Sequence, residues 1–238
     1  MKLLIINPNT CAGMTADILT TARAALSSGV QADVVQPDFG PESLESFYDY
    51  TLAAFGVFRL LEKSQRYDGI LIACYGDPGL YALKERYSCP VLGIAEASLS
   101  LSLLMGYKFG ILTASAKAVP MMENMVAQYG LRDRLAGVWP LNMPVLDIES
   151  CKDKATAHLL KVGKKALKAG ADLLILGCAG MTGMAESAEE ELGVPVLDPV
   201  ACGCKMLEMM VKAGYTTSKL GLYATPASKC VDRKDLLA

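Results

Sequence analysis

The chain has 238 residues, of which 52% are hydrophobic, 20% charged and only 7% aromatic, with a formal net charge of −2. That length holds one large domain or two small ones, and the apolar fraction can fill a sizeable core. The near-neutral charge gives no electrostatic case for nucleic acid or an anionic membrane as partner, and no apolar run approaches the roughly 18 residues of a membrane span.

The first ten residues, MKLLIINPNT, predict a short buried strand over 2–7. The apolar run stops too soon for a signal peptide, so the chain is expected to be cytoplasmic. Asn7-Pro8-Asn9-Thr10 ends the strand and a helix follows over 15–26. A strand at 30–36 leads into a long helix over 42–64, whose Leu44, Phe47, Leu52, Phe55 and Leu61 mark an apolar stripe. Residues 69–73 form a strand and 78–87 a helix, with Asp77 as its cap and Pro78 in its first turn. A short strand at 90–94 leads to Glu96, which can cap a helix or bond nearby groups.

The second half repeats the plan. A strand at 108–113 precedes a helix at 117–129, and 152–169 reads as an amphipathic helix with its lysines outward. A strand at 172–176, a helix at 183–192, a strand at 194–197 and a helix at 200–213 follow. Residues 219–223 offer one last strand. Alternating strands and helices imply parallel βαβ units. The expected fold is α/β: two pseudo-symmetric domains, each a roughly four-stranded parallel sheet flanked by helices, with the active site in the cleft between them. The joint is placed near 98–107, giving domains 1–98 plus 209–238 and 99–208.

The repeat is sharpest around two cysteines. Residues 68–80 read DGILIACYGDPGL and 172–184 read DLLILGCAGMTGM. After similar intervals come CPVLGIAEA at 89–97 and VPVLDPVAC at 194–202. Cys74 and Cys178 therefore each end a buried strand just before a glycine and a helix start. In open α/β sheets ligands bind beyond the carboxyl ends of the strands, where Asn7, Cys74, Thr113 and Cys178 all fall. The positive end of a following helix is expected to lower the thiol pKa. Gly76 and Gly180 can bring backbone amides against a ligand. Two thiols facing one substrate from opposite sides are what cofactor-free racemisation needs, because one removes a proton and the other returns one to the opposite face.

The other cysteines, Cys11, Cys89, Cys151, Cys202, Cys204 and Cys230, read as packing or incidental residues. Reduced thiols are expected in a chain of this length. Cys202-x-Cys204 is a weak metal signal, and the single histidine, His158, falls on an expected solvated helix face, so no metal site is expected. Asn7, Asn9 and Thr10 can bind a carbonyl or urea group or can simply form a turn. No Ser-His-Asp set, GxGxxG fingerprint or Walker loop is present.

INPNT at 6–10, GPESLES at 40–46, ACYGDPGL at 73–80, GIAEA at 93–97, FGILT at 109–113 and LGCAGM at 176–181 together resemble the aspartate/glutamate/hydantoin racemase superfamily, most nearly its hydantoin and allantoin racemases. The resemblance spans nearly the whole chain. It implies an isomerase needing no cofactor, Cys74 and Cys178 as the acid/base pair, and a homo-oligomer acting on a small molecule. It also implies that Asn7, Asn9, Thr10 and Thr113, with the segments Tyr75-Gly76 and Ala179-Gly180-Met181, hold the substrate. Few pocket cations favour a neutral cyclic ureide over a free amino acid. An aspartate or glutamate racemase, a maleate isomerase, a two-lobed sensor without turnover and a redox protein are the rival readings.

Overall fold

The computed structural model describes residues 1–62, 64 and 66–227. In chain order the elements are β1 (Lys2–Ile6), α1 (Ala12–Ala25), β2 (Gln31–Val35), α2 (Phe47–Glu62), β3 (Gly69–Ile72), α3 (Leu80–Arg86), β4 (Val91–Gly93) and α4 (Ile94–Met105). The second half carries β5 (Phe109–Thr113), α5 (Ala118–Gln128), β6 (Leu135–Pro140), α6 (Val145–Ser150), α7 (Lys152–Lys168), β7 (Leu173–Leu176), α8 (Ala185–Leu192), β8 (Val196–Leu197) and α9 (Pro199–Ala213). No described helix is long and apolar enough to cross a membrane.

The strands form two four-stranded parallel sheets, ordered β2-β1-β3-β4 and β6-β5-β7-β8. The two orders are the same pattern, so the internal repeat of the sequence is a repeat of the fold. β3 and β7 are buried along their whole length. They lack polar alternation because helices cover both faces of a parallel sheet. In the first sheet Ile6 lies between Val35 and Ile72; in the second Leu112 lies between Trp139 and Leu176.

The halves interlock through their last helices. Val200, Cys204 and Leu207 of α9 pack on Leu3, Ile5 and Leu71 of the first sheet. Ala95 and Leu99 of α4 pack under Phe109, Ile111, Leu173 and Ile175 of the second. At the crossing, a β-carbon on Gly203 would sit 2.7 Å from Leu71 and 3.1 Å from Ile94, so glycine lets α9 approach both. On the outer side, Ala155, Leu159, Val162 and Ala166 form the buried stripe of α7, and its lysines face away.

Several expectations are corrected. The last strand expected at 219–223 is only a 3₁₀ turn at Gly221–Tyr223, and the second sheet has β6 as a strand that the sequence reading did not expect. Helix α2 begins at Phe47, because Pro41 and the serines at 43 and 46 hold 41–46 in a loop. Ser46 Oγ accepts from the Asp49 amide there. His158 is half-buried, with Nδ1 3.4 Å from the Leu141 carbonyl oxygen. Asp77 does not cap α3, whose N-cap is Gly79. It turns instead into the left-handed region (φ 42°) and caps α4, accepting from the amides of Ala95 at 3.2 Å and Glu96 at 2.9 Å. Cys230, and the tail beyond residue 227, lie outside the described residues.

Candidate active site

The two central strands of each half set the positions of the thiols. The Ala73 amide bonds the Ile6 carbonyl at 2.8 Å, and the Gly177 amide bonds the Leu112 carbonyl at 2.7 Å. Each ladder therefore runs one residue past its strand and releases the next residue, Cys74 or Cys178, at the sheet's carboxyl end. Gly177 is needed for this, since a β-carbon there would lie 2.8 Å from the Leu112 carbonyl oxygen. Both cysteines line one cleft between the halves.

Asn9, Tyr75, Gly76, Thr113, Ala179 and Gly180 share that lining with the cysteines. Asn7, Thr10 and Met181 stand behind it. Asn7 is buried and donates through Nδ2 to Asn9 Oδ1 at 2.7 Å and to Thr15 Oγ1 at 3.0 Å. Thr10 is tied by its backbone, donating to Pro41 and accepting from Gln36 Nε2. Met181 belongs to the core with Met14 and Met184. Because Asn9 Oδ1 also accepts from the Cys11 amide at 2.9 Å, its acceptor is fully engaged. Its amide NH₂ meets only the soft sulfur of Met14, at 3.4 Å, and is left to serve the cleft.

Sequence reasoning put Leu44 in an apolar helix stripe, gave Glu45 no role and left Tyr50 as one of four aromatics on that helix, some of which could face the cleft; all three reach into it, from the loop before α2 and from its first turn. GPESLES at 40–46 was the available signal for the first two, and nothing local separated Tyr50 from its aromatic neighbours. Val145, at the start of α6, closes the opposite side.

Neither thiol is followed directly by a helix N-terminus, since α3 starts only at Leu80 and Cys178 is followed by a three-residue 3₁₀ turn. Each cysteine is mostly buried, and both line the cleft. Burial pushes Cys74 up to about 12, offset by the Gly76 amide and reinforced by Cys178 and Asp77. Burial likewise pushes Cys178 up to about 11, offset by the Gly180 amide, which donates to Sγ at 3.4 Å, and reinforced by Glu45. Burial first, then the two thiols, raises the Tyr50 phenol far above its ordinary range, so it is a neutral hydroxyl. The resting cleft therefore holds neutral sulfurs, and deprotonating one favours keeping the other protonated.

A cleft between two like α/β halves, lined by one free cysteine from each, is the setting in which the comparisons with known proteins fall. Residues 3–207 match the Asp/Glu/Hydantoin racemase family, and the chain belongs to it. It is 40% identical over 232 residues to the hydantoin racemase of Pseudomonas sp. (strain NS671), covering 96% of this chain and 93% of that one. Its structure superposes on allantoin racemase from Klebsiella pneumoniae with a TM-score of 0.94 at 35% identity, covering 99% of this chain and 98% of that one. Glutamate racemase from Francisella tularensis shares the fold at a TM-score of 0.63 and 18% identity, over 92% of this chain and 84% of that one.

Proposed function

We propose that this protein racemises 5-substituted hydantoins or allantoin by a two-thiol mechanism that needs no cofactor. The observation that carries the proposal is the placement of Cys74 and Cys178 at equivalent strand ends on opposite walls of one cleft. The thiolate of one takes the proton from C5, and the electron pair moves onto the adjoining ring carbonyl as an enolate. The thiol of the other protonates C5 on the opposite face. Each turnover exchanges the roles of the two sulfurs, and proton exchange with solvent resets them. The amides of Gly76 and Gly180 partly offset the cost of forming each thiolate. The NH₂ of Asn9, bonded only to the Met14 sulfur, and the hydroxyl of Thr113 are suited to a ring carbonyl, with Asn7 holding Asn9 in orientation.

The lining also favours a neutral ring over an amino acid. No lysine, arginine or histidine lines the cleft among the described residues, whereas Glu45 does. A free α-carboxylate would find no cation and a nearby like charge. The test follows one enantiomer of a 5-substituted hydantoin in heavy water, by optical rotation and deuterium entry at C5. Loss of rotation with deuterium uptake is expected. Unchanged rotation with hydantoins and allantoin, together with rapid turnover of aspartate or glutamate, would overturn the substrate assignment. Binding of either ureide without turnover or exchange would instead favour a sensor.

A further inference from the structure

Removing the C5 proton charges one atom above all, the oxygen of the ring carbonyl beside C5. A hydantoin has a second carbonyl, across the ring, that gains almost no charge. Only a donor to the first oxygen binds the transition state better than the substrate. Such a donor belongs close to the sulfurs, because C5 lies between them and that carbonyl carbon is bonded to C5. It also has to meet the edge of the ring, since the thiols occupy the faces.

Tyr50 is placed for this. It enters the cleft from the first turn of α2 and lines it together with Cys74 and Cys178. Its ring lies against Gly76, where a β-carbon would lie 2.8 Å from the hydroxyl oxygen. Phe47 packs edge-on to it with centroids 6.3 Å apart. Burial first, and then Cys74 and Cys178, hold the proton on the phenol, so the hydroxyl stays a donor. Yet it bonds to no protein group among the described residues. A largely buried phenol normally has a partner. Here the ring is held on two sides and the hydroxyl is left for a ligand oxygen.

We propose that the Tyr50 hydroxyl donates to the oxygen of the ring carbonyl beside C5 and stabilises the enolate, leaving Asn9 and Thr113 for the carbonyl across the ring. The proton stays on the phenol, and the hydrogen bond strengthens as charge reaches the oxygen. This rests on the racemase reading and adds a catalytic residue to it. The experiment compares wild type with Tyr50→Phe on 5-methyl- and 5-phenylhydantoin, by optical rotation and by deuterium entry at C5 from each enantiomer. The change removes an oxygen that no described protein group needs, so the melting temperature should hold. With 5-methylhydantoin kcat should fall by about 10²–10³-fold, the usual worth of one such donor, at nearly constant KM. With 5-phenylhydantoin the loss should be smaller, because the aryl ring shares the carbanion's charge. Exchange should slow alike from both enantiomers, since a donor at the ring edge serves both directions. A kcat within about threefold of wild type, or a loss carried by KM alone, would overturn the assignment and leave the racemase reading intact. So would an equal loss with both substrates, slow exchange from one enantiomer only, or a lowered melting temperature. No turnover or exchange of either hydantoin by the wild type would overturn both.

Discussion

Gly76 and Tyr50 are in contact so close that a β-carbon at position 76 would have to push that ring aside. A β-carbon at position 76 would lie 2.6 Å from Cε2 and 2.8 Å from the hydroxyl oxygen of Tyr50. The equivalent glycine of the other half has more room, since a β-carbon at Gly180 would first meet the Cys178 sulfur at 3.5 Å. The two positions should therefore respond differently to the same substitution. Gly76→Ala must displace Tyr50 or the Cys74 loop, at a cost of about 1–3 kcal/mol by overpacking, and kcat/KM should fall at least tenfold. Gly180→Ala should stay within a fewfold of wild type. Racemisation rates of the two purified variants, alongside their melting temperatures, check this, and equal losses would remove Tyr50 from the explanation.

Cys74→Ser and Cys178→Ser should each collapse racemisation, by about 10²–10⁴-fold, the usual worth of a positioned acid or base. A hydroxyl fits the space but is far too weak an acid to exchange roles with a thiol. The remaining cysteine still faces one side of C5. Each variant should therefore retain some exchange of the C5 proton for deuterium with a single enantiomer, and the two variants should favour opposite enantiomers. Racemisation at the wild-type rate in both would sink the two-thiol mechanism.

The cysteine pair was legible in the sequence because an apolar run, a thiol and a glycine recur in register with the strand plan. Two elements were hidden for physical reasons. In β6, Gly137 and Pro140 suggest a turn, yet at the sheet edge the chain tolerates both. In α4, Ser98, Ser100 and Ser102 look like a linker. In the fold Ser98 and Ser102 are buried, and they satisfy their hydroxyls on carbonyls of their own helix, Ile94 at 2.8 Å and Leu99 at 2.7 Å. Tyr50 could not be singled out either, since Phe47, Tyr48, Tyr50 and Phe55 crowd one helix and only the cleft's position selects among them.

Activity should rise with pH through the neutral and mildly alkaline range. Both thiols titrate high, at about 11 and about 12, so the reactive thiolate grows tenfold per pH unit below those values. The logarithm of kcat/KM should climb with a slope near one from pH 7 to 9, measured with a hydantoin methylated at its imide nitrogen, which has no ring proton to lose there. A maximum at or below pH 7 would show that the free enzyme already holds a thiolate. Stability should move the opposite way. Burial favours the neutral thiol, so the contribution is present below the ordinary value of 9.0 and is lost as pH rises toward 11 and 12.

Asp77 links the Cys74 loop to the first turn of α4, and its two amide bonds separate its charge from its geometry. An asparagine side chain at this position would keep an acceptor for one amide and tolerates the left-handed backbone, so Asp77→Asn should fold with little loss. Asp77→Ala loses the cap and strains that backbone, and should cost about 1–2 kcal/mol. Burial raises the Asp77 pKa to about 7, against the pull of the Glu96 and Ala95 amides. The protonated acid is then the form the fold favours, so its contribution is present below the ordinary value of 3.8 and is lost as pH rises through 7. Wild type should accordingly lose stability relative to Asp77→Asn between pH 4 and 8. Because the Asp77 charge also raises Cys74, the variant's activity profile should shift toward lower pH. Denaturant titrations of both variants across that range check the first statement, and kcat/KM against pH checks the second. A stability gap independent of pH would mean that Asp77 is already ionised throughout and acts as a plain helix cap.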